Sequence, residues 1–293
     1  IKVGDLIYDE YLRQYNLPTI DPDSKHFKKY FYSFAQLFIF WYTYFENNKV
    51  RAVIASHTVY AIGLVPRIAI YKKVKTYNMG MSYTYSLSKK NYLRLSGFEN
   101  YKKYFLKIKN YLKKDLIKIS EHVLNGKILG KDSVSHNIIS NIPTSAFGGK
   151  KSPSENFKPN KKILIASHCF TDAVHAYGNA LFTDFYEWIN YLGELSNKMN
   201  YEWIIKIHPA QYDKNVAQMN NFVKKYKKFT LIKKQKTHNE IITENNILCV
   251  LTVYGSVGHE YPLFGIPVIN ASVNNPHSAY KFNYNPSSIK KYE

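Results

Sequence analysis

Residues 247–272 read ILCVLTVYGSVGHEYPLFGIPVINAS. An apolar, β-branched run stops at Tyr254. Two glycines then bracket a serine, a helical stretch is expected over Gly258 to Phe264, and IPVINAS opens a second apolar run. Strand, tight turn, helix and strand in succession predict a parallel α/β sheet. The same alternation extends toward the N-terminus. KKILIASH (161–168) and EWIIKIHP (202–209) read as strands, and FTLI (229–232) as a short one. Residues 184–198 and 213–227 read as helices, with a brief helix over 239–243. In such open sheets ligands bind beyond the carboxyl ends of the strands, so the residues just after each strand hold the information.

The first half repeats the pattern less cleanly. Val50 to His57 (VRAVIASH) and Val74 to Met79 (VKTYNM) read as strands around a helical stretch containing Pro66, which makes one βαβ unit. Lys25 to Asn47 reads as a helix. Within it, FAQLFIFWYTYF (34–45) is too short to span a bilayer and is expected as a buried helix, the alternative being a helix in the membrane interface. Tyr101 to Leu124 reads as one amphipathic helix with Phe105, Ile108, Leu112, Leu116 and Ile119 on its apolar face. Ile1 to Arg13 shows no clear period, and Asp21-Pro22-Asp23 reads as a turn. IPTSAFGGKKSPSENFKPN (142–160) loses all periodicity. The expected organisation is an acceptor-side domain over 1–145, a linker over 146–160 and a nucleotide-binding domain over 161–293.

Composition narrows the class. The 293 residues are 45% hydrophobic and 16% aromatic, enough for two packed cores. The net charge of +20 favours anionic partners, but only four of the 41 basic residues are arginine. A dedicated nucleic-acid surface uses more of that planar fork, and no helix-turn-helix, RNP or zinc signature is present. No specific nucleic-acid partner is expected. Cys169 and Cys249 lie in or beside apolar runs and read as reduced core residues. With no secretory leader visible, a cytoplasmic protein is expected, with peripheral contact at the inner, anionic face of the membrane.

Four strand ends carry polar residues that are costly to bury. They are Ser56-His57, then Ser167-His168 with Asp172 and His175 beyond, then Lys206 to Pro209, and finally Tyr254 to Glu260. Gly255, Ser256, Val257 and Gly258 suit a phosphate site at a helix start, with Ser256 as cap and Glu260 one turn in to reach a ribose. Lys206 and His208 share a strand face, and Pro209 fixes the chain's exit. Asp9, His57, Asp172 and His175 are the candidate catalytic groups, with Asp5 a further carboxylate; a base is expected among Asp9, His57 and Asp172, and a carboxylate near His175 could orient or charge that ring.

The pattern IIKIHP followed by LTVYGSVGHEYPLFGIPVIN resembles the donor-binding domain of GT-B glycosyltransferases that build bacterial capsule and surface polysaccharide. Relatives in pattern are capsule Kdo transferases, polysialyltransferases and CDP-glycerol glycerophosphotransferases, which carry a His-Pro motif. The resemblance covers residues 161–272 well and the first half weakly. It implies a GT-B-like α/β fold, two Rossmann-like domains with parallel sheets facing a cleft. It also implies a metal-independent transfer from a nucleotide-activated donor, CMP- or CDP-linked ahead of UDP-linked, with no other cofactor. His208 and Ser256 match the phosphate-binding positions of those families. Glu260 has no partner glutamate seven or eight residues earlier, a departure that favours an inverting reaction. The expected acceptor is a growing polysaccharide or lipid-linked glycan. The alternatives are an epimerase-like enzyme acting on a sugar nucleotide and, from another class, a nucleic-acid-binding protein.

Overall fold

The computed structural model describes residues 1–80, 84–93, 98–128, 162–233 and 235–293. The expected linker, 146–160, lies outside them. The chain divides into two compact units, Ile1–Ser96 with Phe170–Ala180, and Gly97–Cys169 with Leu181–Glu293.

The first unit opens with a helix that the sequence reading missed, α1 (Gly4–Tyr15). Its buried stripe is Leu6, Asp9, Tyr11 and Leu12. The carboxylate inside that stripe breaks the apolar period, which is why the segment looked patternless. Asn16 ends the helix in the left-handed conformation, φ 51°, a geometry asparagine tolerates. Helix α2 (Lys25–Asn47) matches its expected bounds and is capped by Ser24, whose hydroxyl accepts from the Phe27 amide. Only Tyr30, Phe34 and Phe45 are fully buried along it, so one face packs and the other is exposed.

Strand β1 (Ala52–Ala55), helix α3 (Leu64–Tyr71) and strand β2 (Lys75–Met79) form the expected βαβ unit, with β1 and β2 parallel. Pro66 falls in the first turn of α3, where its missing N–H costs nothing. A short β3 (Thr84–Ser86) adds antiparallel to β2.

In the second unit the single helix expected over 101–124 is two, α4 (Tyr101–Lys107) and α5 (Asn110–Ile128). Ile108 between them takes an extended conformation. Leu112, Leu116 and Ile119 are exposed, so the stripe read as a packing face is uncovered among the described residues.

The remainder is a five-stranded parallel sheet. Its elements are β4 (Lys162–Ala166), α6 (Phe185–Lys198), β5 (Glu202–Lys206), α7 (Asp213–Lys225), β6 (Phe229–Ile232), α8 (His238–Glu244), β7 (Ile247–Thr252), α9 (Val257–Glu260) and β8 (Val268–Asn270), with a closing turn, α10 (Ile289–Tyr292). The helix expected over 258–264 is one α-turn followed by a 3-10 turn, Tyr261–Phe264. The strands lie in the order β6-β5-β4-β7-β8, all parallel. Leu164, Ala166, Ile204 and Val250 pack on one side with Ile241 and Ile242 of α8 and Tyr261. By strand alternation Ile163, Ile165, Trp203 and Ile205 bury on the other. Mixed α/β architecture with parallel pairing thus holds in both units, in reduced form in the first.

Candidate functional site

The first unit joins Asp9 to His175. Asp9, 2% exposed, projects from α1. His175 Nδ1 lies 2.7 Å from Asp9 Oδ1, and the His175 backbone N–H donates to Oδ2 at 3.3 Å. The carboxylate therefore grips one residue by ring and backbone. With Nδ1 donating to Asp9, the neutral ring carries its lone pair on Nε2. About a quarter of the His175 side chain is exposed, and Tyr8 meets the ring edge-on at 5.2 Å. Burial raises the Asp9 carboxyl above its ordinary range, and the bond to His175 pulls it back.

Tyr60, which the sequence reading passed over, stands beside this pair's loop. Its hydroxyl donates to Asp172 Oδ1 at 3.3 Å and lies 3.5 Å from the Thr171 carbonyl oxygen. Arg13 covers the ring at 4.4 Å. Burial, then the Asp172 charge, raises the phenol above its ordinary value. The Tyr60 backbone sits at φ 57°, ψ −164°, a region L-residues seldom occupy. Glu10 accepts from the next amide, Ala61, at 2.9 Å. Asp172 Oδ1 also accepts from Ala173 N–H at 2.9 Å, so this carboxylate holds its own turn. Asp5 is committed to Arg67, whose Nη1 lies 2.6 Å away. His57 lies exposed in the bend after β1.

In the second unit, β4 begins the sheet and the chain moves outward through β5 and β6. It then returns to add β7 on the other side of β4. The reversal between β4 and β7 is a topological switch point, where open α/β sheets leave a crevice. Two strand ends meet there. His168, 7% exposed, follows β4; its Nε2 lies 3.1 Å from Thr252 Oγ1 and accepts from the amides of Val253 at 3.3 Å and Tyr254 at 3.4 Å. The ring stacks on Phe185 at 4.4 Å. Burial, reinforced by nearby His208, lowers its pKa to about 3, so it is a neutral, organising ring.

His208 follows β5 and is half-buried. Its amide donates to Ser167 Oγ at 3.2 Å, and its Nδ1 accepts from Ala210 N–H at 3.2 Å. Pro209 beside it is also half-buried, whereas Lys206 is 4% exposed. Gly255 donates to Thr252 Oγ1 at 3.2 Å, and a Cβ there would come within 2.7 Å of the same oxygen. The amides of residues 253–255 thus point inward. Ser256 is exposed, and its side chain makes no capping bond to α9, contrary to expectation. Val257 and Glu260 are buried.

A C-terminal strap supports this loop. His277, fully buried, has Nε2 3.0 Å from the Gly255 carbonyl oxygen, and Asn283 Nδ2 donates to the Gly258 carbonyl at 2.6 Å. Burial, with His259 at a ring distance of 4.1 Å, lowers the His277 pKa to about 4. Asn275 accepts from the His277 amide and donates to Asn285 and Ser272. The sequence signal is the density of asparagine over 270–285.

No protein-family model matches the chain, and no curated protein matches it. Among solved structures, it is similar to a UDP-GlcNAc 2-epimerase from Neisseria meningitidis bound to UDP-GlcNAc. The TM-score is 0.36 at 12% identity, covering 97% of this chain and 77% of that one. A likeness at that level carries no functional inference.

Proposed function

We propose that the chain is a transferase that moves a sugar from a nucleotide-activated donor to a hydroxyl acceptor, with His175 as its base. The observation that carries the nucleotide part is the β4/β7 switch point, where His168, Thr252 and Gly255 fix the loop that presents Ser256. Half-buried His208 follows the neighbouring strand, β5. The roles of His208 and Ser256 are to meet the donor's phosphates. His208 supplies positive charge, or a proton, to the departing nucleotide.

The Asp9–His175 pair supplies the acid–base chemistry. Nε2 takes the proton of the acceptor hydroxyl as its oxygen bonds to the anomeric carbon. The bond from that carbon to the donor phosphate breaks, and the electron pair leaves with the nucleotide. Asp9 orients the ring and stabilises the imidazolium that forms. A CMP- or CDP-linked donor rests on the motif resemblance around His208-Pro209, and an inverting outcome on the absence of a partner glutamate seven or eight residues before Glu260.

The test is calorimetric titration with CMP, CDP, UDP and GDP, repeated on His208→Ala and Ser256→Ala. Binding of one nucleotide, weakened in both variants, supports the reading. No binding by any of the four overturns it. Conversion of a nucleotide sugar with no acceptor present would move the chain to the epimerase-like class.

A further inference from the structure

We propose that the outward face of α2 is a docking surface for an anionic lipid bilayer. An ordinary surface helix sets charged residues opposite its core stripe. Residues 30–45 of α2 contain no charged side chain. That stretch is about 24 Å long at 1.5 Å per residue. Its outward positions include Phe31, Tyr32, Ile39 and Phe40, which are 50%, 66%, 61% and 59% exposed. Scattered exposed apolar residues are ordinary, but this density on one uncharged face is not.

The charges gather at the two ends. Lys25, Lys28 and Lys29 lie before the uncharged stretch, and Lys49 and Arg51 lie after it. Glu46, the one acidic residue of α2, is paired with Lys72 at 2.9 Å. An aromatic face framed by basic residues, of which Lys28 pairs with Asp23 at 3.7 Å, complements a bilayer surface: rings settle at headgroup depth and ammonium groups meet lipid phosphates. Among the described residues no helix is long and apolar enough to cross a membrane, so α2 would lie along the surface. Anionic lipid is favoured over a second copy of the chain because the same basic frame would oppose itself in a symmetric pair.

The full chain is sedimented with vesicles of phosphatidylcholine, alone and with a minority of phosphatidylglycerol, at low and high salt. The expected result is salt-sensitive binding to the anionic vesicles. Ile39→Asp with Phe40→Asp should weaken it by about tenfold or more, since both side chains are exposed and their loss spares the core. A second readout is fluorescence quenching by bromine-labelled lipid. Trp188 and Trp203 are fully buried, so quenching must come from half-buried Trp41 and vanish in Trp41→Phe. Absence of binding, equal binding by the double variant, or a wild-type dimer that the double variant splits would each overturn the proposal.

Discussion

His277 leaves no room for a side chain on Gly258: a Cβ there would lie 2.3 Å from His277 Nε2. The same nitrogen lies 3.0 Å from the Gly255 carbonyl oxygen, so one ring fixes both glycines of the loop. Gly258→Ala should cost about 1–3 kcal/mol of stability, through overpacking of a buried ring. Adding His277→Ala should give a double variant less destabilised than the two single losses predict, with a coupling of about 0.5–3 kcal/mol. Denaturant midpoints of the four proteins test this; strict additivity would mean the ring and the glycine do not interact.

Asp9→Asn replaces an acceptor-only carboxylate with an amide that can present a donor to His175. Turnover should fall by about a hundredfold or more, because the ring loses its orientation and the partner of its charged form. Nucleotide affinity should stay near wild type, since the bonds of Asp9 go to the His175 ring and backbone. Calorimetry beside steady-state kinetics separates the two effects, and an equal loss in both would count against a base role.

Asp172→Asn should be far milder. Its Oδ1 accepts from the Ala173 amide and from Tyr60, bonds an asparagine oxygen can keep. Tyr60→Phe should cost about 0.5–1.5 kcal/mol by removing one hydroxyl bond while keeping the ring under Arg13. If Asp172→Asn lowers turnover as much as Asp9→Asn, the base is not His175.

Acid should weaken the fold. The ordinary histidine value is 6.5, but burial holds His168 near 3 and His277 near 4. Below pH 6.5 the unfolded chain binds protons that the folded chain refuses. Both contributions are complete above that pH and are lost as it falls toward 4 and 3. The slope is up to about 1.4 kcal/mol per pH unit for each ring. Asp9 works in the opposite sense: its raised folded value favours the fold in acid and gives that up as the pH rises past the ordinary 3.8. Urea midpoints followed from neutral pH downward should decline, and His168→Gln should flatten the decline.

The sheet of the second unit was legible because each strand centres on an apolar run that ends at a turn signal. Buried parallel strands produce that pattern with little interference from function. The first unit was harder to read for a physical reason. Asp9 occupies a core position of α1, so a buried carboxylate erased the period that would have revealed its helix. Tyr60 carried no signal, since only the fold gives it an unusual backbone and a carboxylate neighbour. The strap residues His277 and Asn283 act through backbone carbonyls, contacts that no local pattern encodes.

The segment Phe170–Ala180 leaves the second unit's sheet between β4 and α6 yet clusters with the first unit. A fragment ending at Ser96 keeps Asp9 and discards His175, while a fragment beginning at Gly97 keeps the ring without its carboxylate. The Asp9–His175 pair survives only in fragments that carry both stretches of chain. Any exchange of halves between related proteins would have to move those eleven residues with the N-terminal partner.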